Sequence, residues 1–194
     1  MHGDTVMARN TQHAGARRGN RWSMAIWGTA GLLLLLPLVA MQFTGGVDWD
    51  GTDFLVIGVM LFIACGAYEL AARVSGSTAY RAGVGVAIVT AFLTVWVNLA
   101  VGMLGSEANP ANLLFGGVLA VGVVGALIAG FRPQGMARAM MATALAQAGM
   151  TVYALVGGYS EVVLHIGFFV IPWLLSAGLF RKAAREQAAT GTAG

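Results

Sequence analysis

The chain has 194 residues, of which 58% are hydrophobic and only 10% charged, with a formal net charge of +3 at pH 7. That balance lies far outside the range of water-soluble globular domains and points to a chain that lives in lipid. A single cysteine, Cys65, excludes an internal disulfide framework.

Residues 1–21 form a polar tail carrying Arg9, Arg17, Arg18 and Arg21. Such a tail suits nucleic acid or anionic lipid; the expectation is a topology signal against lipid headgroups, with no nucleic-acid partner. Six apolar stretches follow at 24–43, 54–72, 82–104, 112–131, 138–158 and 161–180. A hydrocarbon core about 30 Å thick needs about 20 apolar residues per helix, so each stretch is long enough to span. The expected fold is therefore an all-α, six-helix integral membrane bundle. Its membrane domain covers 22–181, and a polar tail at 182–194 is expected to be loose. The first stretch runs on through Pro37 to Phe43 without an Ala-x-Ala site, so it is expected to stay as a helix rather than be cleaved.

Orientation follows from the connections. The second and fourth carry Arg73, Arg81, Arg132 and Arg138, and the C-terminal tail adds Arg181, Lys182 and Arg185. The other three carry Asp48, Asp50, Asp53, Glu107 and Glu161 and no base. Lysine and arginine stay cytoplasmic in short loops, so both termini are expected in the cytoplasm. Trp22 and Tyr80 on one side, and Trp49 and Tyr159 on the other, sit where aromatic belts form. The bases are arginines except Lys182, which with the high alanine and glycine content fits a GC-rich bacterial genome, and the expected location is the bacterial cytoplasmic (inner) membrane.

The stretch Asp48-Trp49-Asp50-Gly51-Thr52-Asp53 half resembles the start of an EF-hand, but it lacks the rest of that loop and its closing Glu. Capping by Asp50 or Thr52, with Asp53 in the first turn, is the expectation. In the second helix, Glu69 precedes Arg73 by four residues, the favourable order for a structural ion pair. The third helix carries small residues at Gly83, Ala87 and Ala91, and the fourth at Gly122, Ala126 and Gly130. Four-residue spacing of small residues permits close helix packing in lipid. Asn109-Pro110-Ala111 resembles the aquaporin signature, which implies a channel. That family carries two such motifs, usually with Arg after the second, whereas here there is one and Asn112 stands at the Arg position. Asn109 as helix cap with Pro110 at the first helical position is the simpler expectation.

Polar stripes mark the third and fifth helices: Thr90, Thr94 and Asn98, and Thr143, Gln147 and Thr151. Each set recurs every four residues and so shares a face. His165, Pro172 and Ser176 lie on roughly one face of the sixth helix, and Pro172 and Pro37 are expected to kink their helices. Polar groups in hydrocarbon must pair, so these faces should turn inward. Asn98, Gln147, His165, Thr94 and Thr151 are the candidate ligand-binding residues. The competing expectation is structural: threonine hydroxyls bonding their own helix, and helix-to-helix hydrogen bonds.

Ser160, Glu161 and His165 do not form a G-x-S-x-G elbow, and Ser160 reads as a helix cap. Metal-ligand spacing is absent, as are a P-loop, H-E-x-x-H and a mid-membrane lysine. No catalytic residue, metal or cofactor is expected. The leading expectation is a non-enzymatic membrane protein acting through helix contacts, as accessory subunit, assembly factor or sensor. Its partners would be membrane lipids and either another membrane protein or further copies of itself. A small-solute transporter using the polar seam is the alternative, and an enzyme acting on lipid or quinone through Glu107, Glu161 or His165 comes third.

Overall fold

A computed structural model describes residues 24–43 and 49–191. Arg9, Arg17, Arg18, Arg21, Trp22 and Asp48 lie outside the described residues. The described residues are helices and short loops, with no strand among them. The helices are α1 (Met24–Phe43), α2 (Gly51–Val74), α3 (Thr78–Ala100), α4 (Leu114–Ile128), α5 (Pro133–Val156), α6 (Val163–Phe168) and α7 (Val170–Gly191). Single 3-10 turns, Pro110–Leu113 and Ser160–Val162, lead into α4 and α6. With the turns included and α6 and α7 taken together as Ser160–Thr190, six helical stretches among the described residues are long and apolar enough to cross a membrane. The chain divides into two compact units, Met1–Glu69 and Leu70–Gly194, with the boundary inside α2.

In the first unit, α1 runs unbroken through Pro37, and Trp27 packs on Phe62 of α2 with ring centroids 5.6 Å apart. The start of α2 is a reciprocal cap. Asp50 Oδ1 accepts from the backbone N–H groups of Thr52 (2.7 Å) and Asp53 (3.0 Å), and Asp53 Oδ2 accepts from Asp50 N–H (3.0 Å). Trp49 and Phe54 close over it with centroids 5.4 Å apart, the hydrophobic staple that fixes the entry angle of a helix. These carboxylates are thus occupied as caps. Cys65 is buried within α2. Glu69 is half-buried and Arg73 is exposed.

In the second unit, α7 packs against both α3 and α5, and α4 and α6 pack against α5. The outward surface is apolar: Leu113, Ile128, Val156 and Leu164 are each more than 80% exposed. Meanwhile Thr94, Thr143, Gln147 and Ser176 are wholly buried. This is the reverse of a protein folded against water, and it suits lipid as the solvent.

Close approach is made by small residues. Gly83 meets the Phe180 ring, and a Cβ there would sit 3.3 Å from it. Gly122 faces Thr143, and a Cβ on Gly125 would lie 2.8 Å from the Cβ of Ala139. Ala87, Ala91 and Ala126 are half-buried. Gly130 does not join this row. Helix α4 ends at Ile128, and Gly130 turns the chain at φ +53° with open space around it.

Several boundaries differ from the sequence expectation. Helix α5 begins at Pro133, five residues early, because proline suits the first helical position, where its missing N–H costs nothing. The sixth helix breaks at Phe169 rather than kinking at Pro172. Proline cannot bond back to Phe168, so it sits in the first turn of a new helix, α7. Ser160 is not a cap: it is the first residue of the 3-10 turn, which has no side-chain cap. Residues 182–191 are helical rather than loose, with Ala183 wholly buried and Glu186 accepting from Ser77 Oγ at 2.8 Å. Tyr80 is no belt residue either. It is fully buried, stacks edge-on against Phe180 at 5.1 Å, and donates its hydroxyl to Phe131 O at 2.8 Å.

Candidate functional site

The polar interior of the second unit is built from α3, α5 and α7. Thr90, Thr94, Thr143, Gln147 and Ser176 are all 3% exposed or less. Most of their hydroxyls are spent locally: Thr90 on Val86 O (2.7 Å), Thr94 on Thr90 O (2.8 Å) and Thr143 on Ala139 O (2.9 Å). Half-buried Thr151 likewise donates to Gln147 O at 3.2 Å. Such back-bonding satisfies a hydroxyl inside its own helix and leaves no donor for a ligand.

Two bonds tie neighbouring helices. Ser176 Oγ donates to Gly83 O at 2.8 Å, drawing α7 onto α3. Gln147 Nε2 donates to Ile166 O at 3.1 Å. That carbonyl is available because of the break at Phe169. Ile166 O accepts a long 3.3 Å bond from Phe169 N–H, the tightened pattern of a terminating helix. Gln147 thus completes the hydrogen bonding of a helix end that Pro172 dictates.

Two buried polar atoms near this break are unpartnered, the acceptor Gln147 Oε1 and the donor Trp173 Nε1. Unpaired buried groups are rare and costly, and they concentrate where structure serves something other than stability.

His165 stands apart from this interior. The inward face of α6 and α7 runs through Ile166, Trp173, Ser176, Ala177 and Phe180. One residue is about 100° of helix rotation, and that offset leaves His165 exposed. Ser160, Glu161 and Glu107 are exposed too.

Asn98 belongs to a second assembly, a knot of three asparagines around the loop after α3. Asn98 Oδ1 accepts from Met103 N–H and its Nδ2 donates to Asn112 O, both at 3.3 Å. Asn112 Oδ1 accepts from Leu104 N–H at 2.8 Å, and its Nδ2 donates to Ser106 O at 2.6 Å. Asn109 caps the 3-10 turn by accepting from Ala111 N–H at 3.0 Å, and it donates to Leu104 O (2.7 Å) and the Tyr159 hydroxyl (3.1 Å). The loop folds tightly enough that a Cβ at Gly102, φ +72°, would lie 2.3 Å from the backbone of Ser106. The knot drives Met103 and Leu104 inward against Phe115, Val118, Met150, Ala154 and Ile166. An apolar plug therefore fills the space beneath the knot, and Ile166 within it is the residue whose carbonyl Gln147 meets.

Of the sequence candidates, Thr94 and Gln147 share the buried interior, Thr151 borders it, Asn98 works in the knot and His165 faces out. The residues missed were Asn112, whose partners lie in a loop without periodicity, Trp173, which reads as ordinary apolar filling, and Gly125, three residues from Gly122 rather than four. Comparison with protein-family models, curated proteins and solved structures finds no match to this chain.

Proposed function

We propose that this chain is a multi-pass protein of a bacterial cytoplasmic membrane, with both termini inside, and that it works through helix contacts. Its role would be that of an accessory subunit, assembly factor or sensor of a membrane complex. The observation that carries this reading is the plug: Leu104 and Phe115 are wholly buried beneath the asparagine knot, and the seam hydroxyls are consumed by their own helices. An interior so sealed favours a scaffold over a conduit. The orientation is supported by the gathering of Arg73, Arg81, Arg132 and Arg138 around the α2–α3 and α4–α5 connections and of Arg181, Lys182 and Arg185 in the later turns of α7, with no base around the other connections. The test is native mass spectrometry of the protein gently extracted from its own membranes. A reproducible second protein mass or a defined homo-oligomer is expected; a lone monomer in native lipid would contradict the reading.

A second reading, small-solute binding within the seam, is favoured by one observation, the unpartnered pair on Gln147 and Trp173. It predicts that Gln147→Leu abolishes uptake by reconstituted vesicles while the protein stays folded. Unchanged uptake would remove it.

A further inference from the structure

At the basic end of the second unit, a cavity of about 610 Å³ opens between the start of α3, the turn from α4 to α5 and the last turns of α7. Arg132 and Arg138 line it together with Gln134 and Gln187, and Val74 and Phe131 add apolar wall. Both arginines are exposed, and no carboxylate is among the residues that line the cavity with them.

Helix α5 also begins here: its N-cap is Arg132, no side chain caps it, and Pro133 holds the first position. Gln134 and Gly135, the residues that follow Pro133 at this helix start, line the same cavity as the two arginines, so the positive end of the helix dipole lies at its wall. The floor is held in a costly shape. Phe131 has φ +58°, rare for a residue with a Cβ, and the buried Tyr80 hydroxyl fixes its carbonyl.

We propose that this cavity binds a phosphate group, with Arg132 and Arg138 as its two ligating cations. Guanidinium forks match phosphate oxygens, and two of them beside an uncapped helix start make an anion site rather than a cation site. The volume is that of a small-molecule pocket and exceeds the needs of a lone phosphate ion. Val74 and Phe131 supply apolar contact beside the cations, as a phosphate carried on a lipid would require. The proposal rests on the reading that this end lies at the cytoplasmic leaflet, but not on the existence of a protein partner.

The test uses the full chain in phosphatidylcholine nanodiscs, with phosphatidylglycerol added in one arm and inorganic phosphate in the other. Lipid retention is read by native mass spectrometry, and stabilisation by thermal unfolding. The variants are Arg132→Gln with Arg138→Gln, and, as a control of equal charge loss outside the cavity, Arg181→Gln with Lys182→Gln. The expected result is that phosphatidylglycerol binds about tenfold more weakly to the cavity variant and unchanged to the control. Equal lipid retention by both variants, together with phosphate stabilising the wild type and not the cavity variant, would keep the site and make its ligand a soluble phosphate. Loss in both variants alike, or no response in either arm, would overturn the proposal. The absence of a partner protein would leave all of these readouts intact, so the two failures are distinguishable.

Discussion

Asn112 shows how one side chain can hold a loop that has no regular structure. Its amide satisfies Leu104 N–H and Ser106 O at once, in a position 8% exposed. Asn112→Ala would leave both groups unpaired and is expected to cost about 2–4 kcal/mol. Asn112→Asp keeps the acceptor, loses the donor and adds a buried charge, so it should be no better. Unfolding in mixed detergent micelles would measure both; a loss below about 0.5 kcal/mol for the alanine variant would mean the knot is not structural. Gln147→Leu removes an orphaned acceptor but also strips Ile166 O of its side-chain partner. Those effects oppose each other, so a net loss of about 1 kcal/mol is expected, read by the same unfolding assay. The sequence pointed to Gln147 and Thr94 because four-residue spacing predicts a shared face. It misplaced His165 because "roughly one face" spans neighbouring positions about 100° apart, and burial separates them. Asn112 was illegible as a knot residue because its partners are loop backbone groups, which follow no period.

At the scale of elements, the apolar stretches were legible because length and composition alone decide whether a helix can span. The first matches its helix end for end, at Met24–Phe43. Ends were less legible wherever a charge was read as a boundary: Arg138 lies inside α5, and Arg181, Lys182 and Arg185 lie inside α7. The amphipathic last turns of α7 continue because Phe180 and Ala183 keep an inward face and Glu186 meets Ser77. The α4–α5 contact makes a sharp prediction. A methyl on Gly125 would sit 2.8 Å from Ala139 Cβ, whereas Gly149 has nothing within 4 Å. Gly125→Ala should destabilise by about 1–3 kcal/mol through overpacking, despite alanine's better helix propensity. Gly149→Ala should be neutral or stabilising. Thermal unfolding of the two variants side by side checks this; equal effects would show that α4 and α5 do not approach so closely.

For the whole molecule, composition establishes a chain suited to lipid, and the distribution of arginines proposes which way it faces. The phosphate cavity is read in that orientation, which sets Arg132 and Arg138 beside the headgroups of the cytoplasmic leaflet. Function was barely legible because helix contacts use ordinary glycines, alanines and asparagines, which carry no chemical signature of their own. The most direct test of the account is thiol labelling in intact cells with a membrane-impermeant reagent. In a Cys65→Ala background, Glu107→Cys and Gln134→Cys each supply one exposed thiol, in the loop before α4 and at the start of α5. The account predicts labelling of the Glu107→Cys protein from outside, and of the Gln134→Cys protein only after the membrane is opened. The opposite pattern, or labelling of both from one side, would contradict it.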